Sequence, residues 1–102
     1  MNLQEFNNLI NEDLVLVDFY ATWCGPCKMM GPVLEELENS RSVKVVKIDV
    51  DKNEEIAKNY GVMSIPTLIL FQKGKQLDKK IGFVPLETLS EWISNYWFSI
   101  VF

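Results

Sequence analysis

The stretch Leu14-Val-Leu-Val-Asp-Phe-Tyr20 constrains the fold more than any other part of the chain. Successive side chains of a strand point to opposite faces, and here both sets are apolar, which marks a central strand covered on two sides. Its β-branched and aromatic content favours the same reading. Directly after it comes Trp23-Cys-Gly-Pro-Cys-Lys28, and then Met30, Val33, Leu34 and Leu37 recur at helical spacing. The chain's only two cysteines therefore stand at a strand-to-helix junction, with the first thiol facing an open helix N-terminus.

Two residues between cysteines allow one disulfide to close a small ring, or two thiols to exchange with a partner's disulfide. The thiolate is the attacking species, and the unpaired amides and dipole of a helix N-terminus favour negative charge. This predicts Cys24 as the attacking sulfur. Cys27, a turn further in, is expected to be more buried and to resolve the mixed disulfide. Gly25 permits tight backbone geometry, and Pro26 fixes φ near the helix start, where a missing amide matters little. A zinc site needs about four ligands, and the chain has no histidine and no third cysteine. A purely structural disulfide gains least from so short a loop. Redox chemistry is the favoured reading.

A length of 102 residues suits a single domain spanning 1–102, with 48 % hydrophobic residues and three tryptophans to fill one core. A net charge of −4 argues against nucleic acid and anionic membrane surfaces as partners. The opening Met-Asn-Leu-Gln-Glu-Phe lacks the basic and apolar segments of a signal peptide, and no apolar run is long enough to span a bilayer. A reducing cytoplasm is the expected location.

Leu3, Phe6, Leu9 and Ile10 predict a short first helix. The central strand and a helix over roughly Cys27 to Asn39 follow, with Pro32 expected to kink that helix. Ser40-Arg-Ser42 reads as a turn and Val43 to Val50 as a second strand, parallel to the first. Glu54 to Tyr60 reads as a short helix closed by Gly61. Thr67 to Gln72 is a third strand, turned by Lys73-Gly74 into a fourth around Leu77 to Ile81. Leu86, Leu89, Ile93, Tyr96 and Trp97 form the stripe of a last helix. Ile100 and Val101 continue that stripe, so this helix is expected to run nearly to the end, its apolar tail covering a sheet edge. A parallel unit joined to an antiparallel hairpin gives an α/β fold, a mixed sheet of about four strands with helices on both faces.

Asp18 falls among residues expected inside, where an unpaired carboxylate is costly. Lys47 shares a strand face with Val43 and Val45 and is placed to point inward toward Asp18. Burial raises a carboxyl pKa, and a nearby ammonium lowers it.

Val-Asp-Phe-Tyr-Ala-Thr-Trp-Cys-Gly-Pro-Cys-Lys (17–28) resembles the active-site segment of the thioredoxin family. Lys47-Ile-Asp49, Tyr60-Gly-Val62, Ile65-Pro-Thr67, Lys73-Gly74 and Gly82 match it at corresponding intervals, from about Phe6 to Tyr96. The resemblance implies a thioredoxin fold. It implies a protein-disulfide reductase with Cys24 as nucleophile and Cys27 as resolving thiol, tuned by Gly25 and Pro26. It implies that Pro66 is a cis proline packed against the cysteines, and that Asp18, with Lys47 beside it, accepts the proton of Cys27. Trp23, Gly61, Val62, Ile65 and Gly82 match an apolar docking surface. The implied partners are a flavin-dependent thioredoxin reductase drawing on NADPH and disulfide-containing substrate proteins. The chain itself is expected to bind no cofactor beyond its redox-active disulfide, and to be a monomer. The Gly-Pro pair resembles reducing members of the family. A specialised thiol oxidase or isomerase, and a binding subunit with idle cysteines, are the alternatives. The chain departs from the family in three places: an absent or stunted first edge strand, Tyr20 where tryptophan is usual, and the apolar tail.

Overall fold

The computed structural model describes residues 1–40 and 43–101, the last five of these by backbone alone. Four helices and four strands alternate as α1 (Leu3–Leu9), β1 (Val15–Tyr20), α2 (Gly25–Ser40), β2 (Lys44–Asp49), α3 (Glu54–Asn59), β3 (Thr67–Gln72), β4 (Lys75–Ile81) and α4 (Leu86–Val101). The strands form one sheet in the order β2-β1-β3-β4. β1 runs parallel to β2 and antiparallel to β3, and β3 pairs antiparallel with β4. Among the described residues β2 is an edge strand with β1 as its sole partner, which agrees with the missing first strand.

The alternation read in β1 divides the core in two. Leu14 and Leu16 join Leu68 and Leu70 beneath α2 and α4, with Met30, Leu34, Leu89 and Ile93. Val15, Val17 and Phe19 join Ile69 and Phe71 against Phe6 of α1 and Ile56 of α3. On this second face the rings of Phe6, Phe19, Tyr60 and Phe71 meet at tilted and edge-on angles. Burying a large apolar side chain contributes about 1.5–3 kcal/mol. The two layers of the fold are therefore held by β1, and a residue of β1 that is not apolar is conspicuous.

Local signals set the element ends. Asn2 caps α1: its side chain accepts from the Glu5 amide at 2.8 Å, while the Glu5 carboxylate accepts from the Asn2 amide at 3.0 Å. At the end of α3 the Val62 amide donates to the Ala57 carbonyl and the Gly61 amide to the Lys58 carbonyl. Gly61 takes a φ of +65° to make that paired closure. Lys73 and Gly74, with φ of 48° and 83°, form the two-residue turn that matches the twist of a hairpin. Because that turn is so tight, β4 begins at Lys75, earlier than the apolar pattern around Leu77 suggests.

α2 also begins earlier than its apolar stripe, at Gly25, and Pro32 lies within its continuous span. α4 does run to Val101. The turn over residues 41 and 42, and the packing of Trp97, Ile100 and Val101, lie outside the described residues. Among the described residues no helix is long and apolar enough to cross a membrane.

Candidate active site

Because α2 starts at Gly25, Cys24 occupies the capping position just outside it. Its Sγ accepts a hydrogen bond from the Cys27 amide at 3.2 Å, the bond that a serine or aspartate side chain makes at many helix starts. Cys24 and Cys27 form a disulfide with their Cα atoms 5.2 Å apart. When that bond is reduced, the same amide and the helix dipole stand ready to stabilise a thiolate on Cys24. Pro26 falls among the first helical residues, whose amides have no partner within the helix. The expected difference in burial is small: Cys24 is 5 % exposed and Cys27 4 %. The asymmetry between the sulfurs lies in their polar contacts. Among the described residues only Cys24 Sγ takes the helix amide, and it also lies 3.9 Å from the Ile65 carbonyl oxygen.

That carbonyl belongs to a loop entering β3, where the Ile65–Pro66 peptide bond is cis. Pro66 is buried, and its carbonyl accepts from the Gly82 amide at 2.7 Å. Gly82 needs its φ of 92° to turn the end of β4 back onto this loop. The loop before β3 thus reaches Cys24, and the end of β4 is tied to that loop.

Trp23, Val62 and Ile65 line one cleft of about 470 Å³ together with Val50, Met63 and Ser64. Trp23 is 70 % exposed, and its indole N–H donates to the Asp51 carboxylate at 2.9 Å. That bond fixes a large apolar surface in water, an arrangement suited to meeting another molecule. Gly61 is not part of the cleft wall and serves to close α3. The composition pattern does not single out Met63, 95 % exposed, nor the exposed Phe83 that follows Gly82. An apolar residue inside the Val62–Ile65 loop was the available signal for Met63. Asp51 carries no such signal, because an acid in a loop is ordinary.

Asp18 is completely buried, and among the described residues both its carboxylate oxygens lack a hydrogen-bond partner. It lies on the α2-facing side of β1, as Leu16 and Tyr20 do. Desolvation pushes its pKa from 3.8 up to about 6, and the positive charge of Lys47 offsets part of that rise. Lys47 stands opposite Asp18 in the β1–β2 register. Its side chain does not turn inward as the shared strand face suggested. It is exposed and carries its ammonium over the Tyr20 ring, 5.0 Å from the centroid. An ammonium keeps its hydration there, so the pair acts through space without a salt bridge. Tyr20, Cys27, Lys28 and Lys47 line a second, smaller pocket of about 220 Å³ on this side of the disulfide.

A redox pair on a helix cap, a cis Ile65–Pro66 bond whose carbonyl lies beside Cys24, and a buried acid in the strand leading to the pair are features of one known architecture. The thioredoxin family model matches residues 1–95. The chain belongs to the thioredoxin family. It is 50 % identical over 95 residues to a thioredoxin of Bacillus subtilis, covering 91 % of each chain. A thioredoxin of Listeria monocytogenes is 50 % identical over 93 residues, covering 89 % of this chain and 90 % of that one. Among solved structures, a mutant thioredoxin from Halobacterium salinarum superposes with a TM-score of 0.88 at 41 % identity, covering 94 % of this chain and 86 % of the other. The oxidised mitochondrial thioredoxin 3 of Saccharomyces cerevisiae gives 0.83 at 45 % identity, covering 92 % and 90 %. Family membership and the disulfide together make the chain a protein-disulfide oxidoreductase. It works by dithiol–disulfide exchange through Cys24 and Cys27.

Proposed function

We propose that the chain works in the reducing direction, as a single domain that carries electrons from a thioredoxin reductase to disulfide-containing proteins of the cytoplasm. The observation that carries the reading is the Cys27 amide on Cys24 Sγ, which singles out one sulfur for negative charge. In the reduced form the Cys24 thiolate attacks one sulfur of a partner disulfide. The other partner sulfur leaves as a thiolate, and a mixed disulfide remains. Asp18 takes the proton of Cys27, and the Cys27 thiolate then attacks Cys24. The Cys24–Cys27 bond forms, the partner's remaining sulfur leaves, and a pair of electrons has passed to the partner. A flavin-dependent reductase drawing on NADPH returns that pair, so this chain needs no cofactor of its own.

Docking in this reading uses the cleft of Trp23, Val62 and Ile65. The backbone flanking Pro66 offers polar groups to an extended partner segment, and Gly82 belongs to the apolar docking surface. Lys47 moderates the charge on Asp18. The test is turnover of a generic disulfide protein with NADPH and a flavin-dependent thioredoxin reductase, following NADPH oxidation. Sustained oxidation that depends on this chain supports the reading. Reduction of the disulfide protein by the chemically reduced chain, without reductase-driven turnover, would leave the exchange chemistry intact and remove the proposed electron source.

A further inference from the structure

Tyr20 takes part in no step described so far, yet it touches two parts of the machinery. It is the last residue of β1, two positions beyond Asp18 and on the same side of the sheet. Its ring carries the Lys47 ammonium 5.0 Å from the centroid, and it also lines the pocket that reaches Cys27. Lys47 is an exposed side chain on an edge strand, with a long stem and, among the described residues, no salt bridge. Without an anchor, such a side chain samples many rotamers in water. The electron-rich face of an aromatic ring is that anchor.

We infer that Tyr20 is a positioning residue: its ring holds the Lys47 ammonium beside the Cys27 pocket and so fixes the charge that Asp18 faces when Cys27 releases its proton. This rests on the reading of Asp18 as proton acceptor. The surroundings leave Lys47 as the group whose position matters. On the β3 side Asp18 is paired with Leu68, and Lys80, opposite Leu68 on β4, is drawn over the Trp92 ring. On the α2 side Lys28 lines the same pocket as Lys47, and Glu35 and Glu38 line the adjoining groove, also with Lys47. A Lys47 released from Tyr20 has these two carboxylates to turn toward, and either choice screens its charge from Asp18.

The experiment follows the Asp18 carboxyl carbon by NMR from pH 4 to 9 in the oxidised protein, and the pH profile of mixed-disulfide resolution. The variants are Tyr20→Phe, Tyr20→Leu, Lys47→Met, the Tyr20→Leu/Lys47→Met pair, and pentafluorophenylalanine at position 20. Tyr20→Leu is expected to move the Asp18 midpoint upward by about half a pH unit, the scale of losing one partly solvated charge. The resolution profile should move with it. The fluorinated ring keeps the size and reverses the charge of the face, so it should behave like leucine and guards against a folding defect. Tyr20→Phe should match the parent. Lys47→Met should raise the midpoint as far as Tyr20→Leu, and the double variant no further. An unmoved midpoint in both Tyr20→Leu and the fluorinated protein would overturn the inference. So would a Tyr20→Phe shift equal to that of leucine, or a leucine effect that persists without Lys47. Asp18→Asn answers a separate question: if it keeps the parent's resolution profile, Asp18 is not the acceptor, while the NMR midpoints still report on Tyr20.

Discussion

Replacing Asp18 by alanine tests the energetic account of the buried acid most directly. The folded protein holds the Asp18 proton with a pKa of about 6, against 3.8 for the ordinary group. The native state therefore binds this proton more tightly than the unfolded chain, and the Asp18 contribution to parent stability falls as pH rises from about 4 through about 6, then levels off. At about 1.4 kcal/mol per pH unit, the difference amounts to about 3 kcal/mol of native-state cost at pH 7.5. Alanine removes that cost and leaves a small void, which takes back about 1 kcal/mol. The variant should be more stable than the parent by about 2 kcal/mol at pH 7.5, and slightly less stable near pH 4, where Asp18 is protonated in the fold. Guanidinium unfolding of both oxidised proteins, followed by tryptophan fluorescence at several pH values, measures this. Carboxylates elsewhere titrate alike in the two chains and cancel in the difference. A parent–variant difference that stays constant from pH 4 to 7.5 would refute the reasoning, because it would mean that Asp18 is ionised in the fold without penalty.

Cys24→Ser should abolish disulfide reduction, while Cys27→Ser should accumulate mixed disulfides through Cys24; mass spectrometry of trapped complexes, and faster alkylation of Cys24 than of Cys27 in the reduced chain, check the assignment. Gly61→Ala should lose about 1 kcal/mol by denaturant unfolding, since a Cβ there meets nothing closer than 4.0 Å and the loss comes from the φ of +65° alone. Gly31→Ala, inside α2 with open space around it, should instead be neutral or gain up to about 1 kcal/mol. Asp78 accepts from the Trp92 indole at 2.8 Å and the Tyr96 hydroxyl at 3.1 Å, and the Trp92 bond in particular holds its pKa below the usual carboxylate range. Asp78→Asn should therefore lower stability by about 1 kcal/mol at neutral pH, allowing for partial exposure, and the difference should vanish as pH falls through the range where Asp78 protonates. Met63→Glu should raise KM severalfold for a partner with apolar residues beside its disulfide and leave kcat unchanged, which steady-state kinetics resolves.

The fold was legible where the pattern was strong and local. The two apolar faces of Leu14 to Tyr20 required layers on both sides of β1, and Cys-Gly-Pro-Cys set the junction that follows. Element ends were less legible because they depend on turn chemistry. A two-residue Lys73-Gly74 turn starts β4 before its apolar residues begin, and the Cys24 cap starts α2 before its stripe. Of the site, the cysteines and Asp18 stood out because each breaks the surrounding composition. The cis bond before Pro66 came from resemblance alone, since a proline opening a strand is permitted in either isomer. Lys47 was misdirected by the strand rule, which gives the face of a side chain but not where a long stem ends. Asp51 gave no signal because its bond to the Trp23 indole joins segments distant in sequence.

Asp18 sets a costly buried acid in the strand on which both core clusters rest. A sequence that specifies its fold well has local choices that agree with one another, and departures gather where function needs them. Every other side chain of β1 adds to one of the two cores or, in Tyr20, to the wall behind the disulfide. Asp18 alone in this strand has no partner among the described residues, although a leucine there would continue the row of Leu14 and Leu16. Surface placement would return its pKa to the ordinary range, and it would then be a poor proton acceptor for a thiol at neutral pH, the role proposed for it above. A salt bridge would have the same effect. Burial and the absent hydrogen bonds push the carboxyl up, and the Lys47 charge draws it part of the way back, which leaves the group poised between its two protonation states at about pH 6.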